Sequence, residues 1–290
     1  MSGSSGLMIP SFQEIQMADR TWDRALPIEY AESKQSSLDK RWKAELGDSL
    51  RQMVSQVWPG VPEAVFLGFT AFSTSAKENT TEAVESQKFH EIGYFQTEAG
   101  LRDKPAPDRD PDGEYNNWGR LHDNELVVQL LGREACMGHD EWKTAIKDQV
   151  AVGLVNLRKK LDSLAKKLPD DLKPQDYSSI WAVLLAFTAF SRGGGQTLKC
   201  LRPYMEKLGK IPENDRWAAW ESMIAADITK DVESIGNKDG KAGAPWAIMR
   251  TRQKHDSGLL FAERTGLSTD WFVKPVRERD VVIVKKAYDV

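Results

Sequence analysis

Cysteine is scarce in this 290-residue chain: Cys136 and Cys200 are the only two. Two thiols cannot build a disulfide framework, and their spacing suits no zinc ribbon, so they read as free thiols with at most one bridge. Long apolar runs are also missing. The longest, Ile180 to Phe190, is interrupted by Thr188 and falls short of the ~18 residues a membrane-spanning helix needs. Basic excess is absent, since the net charge is −3 and the pI near 5.9. That argues against a protein held on nucleic acid by phosphate neutralisation. The first residues, Met1-Ser2-Gly3-Ser4-Ser5-Gly6, lack the basic start and apolar stretch of a secretory signal and read as a flexible leader or tag remnant. No Walker loop, dinucleotide loop or Gly-x-Ser-x-Gly elbow occurs, which leaves nucleotide-binding and serine-elbow hydrolase classes without a starting motif.

What is present is a strong helical period, in a chain that is 40% hydrophobic and carries 10 Trp and 10 Phe, enough to build a core. From Gln35 to Trp58, apolar residues at Leu38, Trp42, Leu46, Leu50, Met53, Val54 and Val57 trace one stripe. Pro59-Gly60 ends that helix, and Pro62 opens the next at the position where proline fits best. Further helices are predicted at Glu125 to Leu131, Glu141 to Leu168, Tyr177 to Phe190, Leu198 to Leu208 and Arg216 to Ile228, with a short one at Trp246 to Met249. The Tyr177 to Phe190 helix has no polar face, so it should be the most buried element. Lys77 to Asp123 is irregular, rich in Pro, Asp and Asn, with a short hairpin expected around Ile92 to Gln96. Such long connections are usually functional walls or lids. The clearest strand signal is the β-branched run Val281 to Val284. The fold class expected is mainly α.

Three segments carry a resemblance. After the Pro62 helix come Gly93-Tyr94-Phe95-Gln96, then Gly153-Leu154-Val155-Asn156-Leu157, then Ala189-Phe190-Ser191-Arg192-Gly193-Gly194-Gly195. In order and spacing they resemble the lysozyme-like fold of lytic transglycosylases and goose-type lysozymes. That family has a Gly-Leu-Met-Gln type segment, a Gly-x-x-x-Leu helix, and a buried helix ending in Ala-Tyr-Asn-Ala-Gly-x-Gly. The resemblance covers about residues 60 to 210. It implies a lysozyme-like helical domain with a small irregular or β-hairpin region and extra N- and C-terminal elements. The expected division is a leader at 1–10, an N-terminal helical extension at 11–58, a catalytic domain at 59–236, and a C-terminal extension at 237–290 packed on the body.

The sequence departs from the family at two places. Phe190 and Ser191 replace the family's Tyr and Asn, and the helix end that should carry the catalytic Glu reads Phe72-Ser73-Thr74-Ser75. The acid must then come from the following segment. Glu78, fifteen residues before Gly93 as in the transglycosylases, is the first candidate. Glu91, beside Ile92 and Tyr94, has the most apolar neighbours, and Glu85 with Ser86 repeats the family's Glu-Ser pair; Glu82 completes the set. Glycoside cleavage needs a carboxylic acid kept protonated near neutral pH, and apolar surroundings supply that. Tyr94, Gln96, Phe190 and Ser191 would line the sugar cleft, with Trp118 a candidate stacking platform.

The resemblance implies cleavage of peptidoglycan glycan strands, as a muramidase or lytic transglycosylase, without metal or cofactor. Lacking a secretory signal, such an enzyme would be made in the cytoplasm. It would reach the wall as a phage lysin, a virion-associated enzyme or an injected effector, with a partner protein for delivery. A non-catalytic scaffold of the same fold is the alternative. A third reading starts from His122-Asp123, His139-Asp140 and His255-Asp256, the dipeptide of His-Asp metal phosphohydrolases. Asp108-x-Asp110-x-Asp112-Gly113 opens like a calcium loop but has Gly119 where the bidentate Glu belongs, so it reads as a polar surface loop.

Overall fold

A computed structural model describes residues 27–73, 91–98, 117–137, 141, 144–230 and 244–272. These are mainly helical. The first helix, α1 (Pro27–Arg41), leads through a π-helical turn at Trp42–Leu46 into α2 (Gly47–Val57). The apolar stripe predicted a single straight helix here. It is broken where Ala44 and Glu45 leave helical geometry, Glu45 with φ 67°. The Trp42 ring folds over Gly47, whose missing side chain makes room: a Cβ there would lie 2.5 Å from the indole.

Trp58-Pro59-Gly60 turns the chain into α3 (Glu63–Ser73), just after Pro62. A short antiparallel hairpin follows, with β1 (Glu91–Ile92) pairing Glu91 with Glu98 and Ile92 with Thr97 of β2 (Thr97–Glu98). Then come α4 (Asn117–Leu121), α5 (Glu125–Leu131) and the long α6 (Ile146–Ala165). Next is α7 (Ile180–Arg192), capped by Ser179, whose hydroxyl accepts from the Ala182 amide at 3.1 Å. Its interior, Trp181 through Ala189, is wholly buried, as its apolar circumference predicts. Gly193, with φ +76°, ends α7 and opens α8 (Gly194–Leu201). A 3₁₀ turn then leads to α9 (Met205–Gly209), which precedes α10 (Arg216–Lys230). The last described helix is α11 (Ala244–Thr265), far longer than the Trp246 to Met249 segment that hydrophobicity suggests. The β-branched run near Val284 lies outside the described residues, as do Asp108 to Gly113.

The core is aromatic. Trp58, Trp181, Trp217, Trp220, Phe66, Phe69, Phe95, Phe187 and Phe261 are all fully buried. The Trp58 indole donates to the Leu154 carbonyl at 3.2 Å, joining the end of α2 to α6. α11 is no peripheral strap: it packs along α3 and α1 and meets α3 backbone to backbone. A Cβ on Gly68 would fall 2.3 Å from the Lys254 carbonyl oxygen, and one on Gly258 would fall 2.4 Å from the Ala64 carbonyl oxygen. Only glycine at both positions lets two helices approach so closely.

Against expectation from composition, Thr251 to Ser257 of α11 is a continuous polar run that is entirely buried. Some of its groups find partners on distant elements and others within α11, while Gln253 Oε1 has no hydrogen-bond partner among the described residues. The Thr251 hydroxyl meets that of Thr188 on α7 at 2.9 Å, and Arg252 bridges Glu221 of α10 and Asp256. Asp256 also holds His255 Nδ1 at 2.7 Å. Burial works against the charged form of each of these groups. It raises the Glu221 carboxyl against the pull of Arg252, and it lowers the His255 imidazole against the pull of Asp256. At Asp256, burial is outweighed by Arg252 and His255, which hold its carboxyl below the usual range.

Candidate functional site

The residues Gly93 to Gln96 form the tight turn of the β1–β2 hairpin. Gly93 at φ +74° and Gln96 at φ 49° supply its left-handed backbone. The Gln96 amide donates to the Gly93 carbonyl at 3.0 Å, and so does its own side-chain Nε2. From α6, the Gln149 side-chain oxygen accepts the Tyr94 amide at 3.0 Å. The turn is locked onto α6 at Gly153, where a Cβ would strike the Phe95 ring at 2.3 Å. The glycine is therefore a seat for Phe95.

Phe95 stacks on Phe69 of α3 with centroids 5.7 Å apart. Phe69 in turn meets Phe187 at 4.7 Å and Phe190 at 5.1 Å, both on α7. The turn and the end of the buried helix thus meet the Phe69 ring of α3, and the glycine helix meets Phe95 on it. A side chain that sequence reasoning missed completes the cluster. Lys254 of α11, 1% exposed, places Nζ 4.3 Å above the Phe69 ring and 5.7 Å from Phe190, and donates to Ser191 Oγ at 2.6 Å. Ser191 Oγ itself donates to the Phe187 carbonyl at 2.9 Å. Burial, with a smaller push from Arg250, lowers the Lys254 ammonium to about 7. Nothing in the apolar periodicity marks Lys254. The only cue is its place in a polar run flanked by Ile248 and Leu259, both core residues.

The other predicted residues are distributed as follows. Tyr94 is 2% exposed and Gln96 6%, so both are enclosed rather than presented on an open wall. Trp118 is 4% exposed, with its indole N–H donating to the Cys136 carbonyl at 2.9 Å; its ring is packed inside, on α4, away from solvent. Glu91 lies in β1 opposite Glu98, while Glu78, Glu82 and Glu85 lie outside the described residues. Those three occur in the stretch joining α3 to β1, whose two ends belong to elements that meet at Phe69.

Cys136 and Cys200 are free. Burial, reinforced by Asp148, pushes the Cys136 thiol up to about 12. His255 and Asp256 are committed to each other and to Arg252, His122 stands 3.9 Å from Glu134, and His90 and His139 lie outside the described residues. Among the described residues no group of three or more His, Cys, Asp and Glu could hold a metal ion. None of their helices is long and apolar enough to cross a membrane. Compared with known proteins, the chain matches no family model, no curated protein and no solved structure.

Proposed function

We propose that this protein cleaves the glycan strands of peptidoglycan, by hydrolysis or transglycosylation, through one carboxylic acid between Glu78 and Glu91. The observation that carries the reading is the convergence on Phe69: Phe95 of the Gly93–Gln96 turn, seated on Gly153, meets the ring from one side, and Phe190 at the end of α7 meets it from another. These are the three segments of the lysozyme-like resemblance, and a glycosidase of that kind needs them adjacent. The acid would protonate the leaving glycosidic oxygen, while the substrate's own acetamido group or a positioned water completes the displacement. Ser191 would face the sugar at the rim. Delivery to the wall would follow the route of a phage lysin, a virion-associated enzyme or an injected effector, with a partner protein.

The test is turbidity loss of purified peptidoglycan, followed by mass spectrometry of the products. One of Glu78→Gln, Glu82→Gln, Glu85→Gln and Glu91→Gln should reduce activity by at least about a hundredfold with folding unchanged. Equal activity in all four removes the acid assignment. The second reading, a non-catalytic scaffold, is favoured by the enclosure of Tyr94 and Gln96, whose hydrogen bonds serve the turn itself. Inactive wild-type protein on every peptidoglycan chemotype would select it.

A further inference from the structure

Ser191 and Lys254 come from segments far apart in sequence, and the glycan reading uses Ser191 only to line the cleft and gives the amine of Lys254 no part. Ser191 ends α7 at the boundary of the core, half-buried, whereas Lys254 approaches it from the interior. The amine cannot swing away. Its stem is confined by the Phe69 and Phe190 rings, and its own backbone carbonyl lies against Gly68 across the close α3–α11 contact. The other side of Ser191 is different. Gly193 and Gly195 are exposed, and Gly193, Gly194 and Gly195 have nothing within 4 Å of the position a Cβ would take. α8 starts there, and its first intrahelical acceptor, the Gly193 carbonyl, is taken by the Thr197 amide. The amides of Gly194, Gly195 and Gln196 therefore precede any intrahelical partner and are free to donate outward.

We propose that Ser191 and Lys254 form a nucleophile–base pair for acyl transfer, acting on a carboxylic ester that enters from the glycine side. This inference goes beyond the glycan-cleaving reading and does not rest on it. The arrangement has the parts such a reaction needs: a half-buried hydroxyl, a base 2.6 Å away on the dry side, and, three to five residues on in sequence, the helix-start amides that would serve the oxyanion. At rest the Ser191 proton points to the Phe187 carbonyl; turning it to Nζ requires rotation of the hydroxyl alone. With Lys254 neutral, Nζ takes that proton as Oγ attacks the ester carbonyl carbon. The tetrahedral oxyanion collapses, the bond to the alcohol oxygen breaks, and the leaving alkoxide takes the proton from Lys254. Water then gives a proton to Nζ and attacks the acyl carbon. The bond to Oγ breaks, and Ser191 recovers its proton from Lys254. Ester and water have become alcohol and carboxylic acid, and both side chains are restored.

On its own helix Lys254 is pushed by Arg250 and neighboured by Arg252, His255 and Asp256; α7 faces it with Ser191 and Phe190, and α3 with Phe69. The Lys254→Met comparison separates the amine from these groups in a pH profile. The probe is a fluorophosphonate applied to the full chain, with the label located by peptide mass spectrometry. Labelling is expected at Ser191, rising with pH around a midpoint near 7, where burial sets the amine. Ser191→Ala should abolish it, and Lys254→Met should slow it at least about a hundredfold while circular dichroism reports a native fold. Hydrolysis of p-nitrophenyl acetate should follow the same pattern. A label elsewhere, a rate flat from pH 6 to 10, or wild-type labelling in folded Lys254→Met would overturn the pair. If Lys254→Met does not fold, the wild-type pH profile alone decides. Labelling at Ser191 in a protein that leaves peptidoglycan intact would retain this inference and discard the glycan reading, and the converse result would do the opposite.

Discussion

Replacing Lys254 with methionine should make the protein more stable, and by an amount that depends on pH. The amine is 1% exposed, and burial lowers its protonation from the ordinary 10.5 to about 7. Between those values the unfolded chain holds a proton that the folded chain has released. Stability of the wild type must therefore rise with pH across that window, at about 1.4 kcal/mol per pH unit. Below about pH 7 the folded protein is protonated too, and the whole cost of a buried ammonium, of order 5 kcal/mol, is present. Methionine fills a similar volume and does not titrate. Its constant disadvantage is the lost hydrogen bond to Ser191, worth about 1 kcal/mol. The gap between Lys254→Met and wild type should then shrink by about 3 kcal/mol from pH 7 to 9.5. Urea unfolding followed by tryptophan fluorescence at pH 6.5, 8 and 9.5 measures it, and taking the difference between the two proteins cancels other titrations. The gap should respond little to salt, because the group is buried. Parallel stability curves across this range would refute the reasoning.

Two further predictions concern packing and a buried carboxylate. Gly258→Ala puts a Cβ 2.4 Å from the Ala64 carbonyl oxygen and 3.1 Å from Val65 Cα, backbone atoms that cannot rotate aside. It should cost about 3 kcal/mol, whereas Gly194→Ala, with nothing within 4 Å, should change stability by less than about 0.5 kcal/mol; calorimetric melting of both separates them. Asp148 is 1% exposed and accepts from Arg133 at 2.8 and 2.9 Å and from the Cys136 amide at 2.7 Å. Asp148→Asn should cost about 2 kcal/mol. It should also make Cys136 react faster with a disulfide reagent at pH 8.5, since burial would be left without the carboxylate in holding the thiol up. An unchanged thiol rate would contradict that assignment.

Much of the framework follows from local sequence, and the boundaries fail for local reasons. The Pro59-Gly60 stop, the Pro62 start and the Gly193 stop each fix backbone geometry by themselves. The α7 helix was expected from Tyr177, but a turn in which the Asp176 carboxylate accepts the Ser178 amide at 2.8 Å delays it to the Ser179 cap. That leaves Tyr177 outside the helix, donating to Asp162 at 2.6 Å. The kink between α1 and α2 is invisible to an apolar stripe, because the stripe records which side chains are buried and not that Trp42 lies over the Gly47 backbone.

The candidate site divides in the same way. Gly93 can be read from sequence as a turn glycine, and the structure gives it that role, whereas Gly153 is marked in sequence only as part of the Gly-x-x-x-Leu pattern and its role as the seat of Phe95 comes from the structure. Lys254 could not be read, because hydropathy stands in for burial only when a residue's partners are water or hydrocarbon. In α11, Thr251, Lys254 and Arg252 find partners in Thr188, Ser191 and Glu221, each on another helix and remote in sequence, while Asp256 pairs locally with Arg252 and His255. A polar run whose hydrogen bonds close over such distances looks like surface in any local window. It becomes core only once Gly68 and Gly258 bring α3 and α11 together. The two glycines and the lysine therefore belong to one device: the contact that no larger residue would permit is also what confines an amine against Ser191.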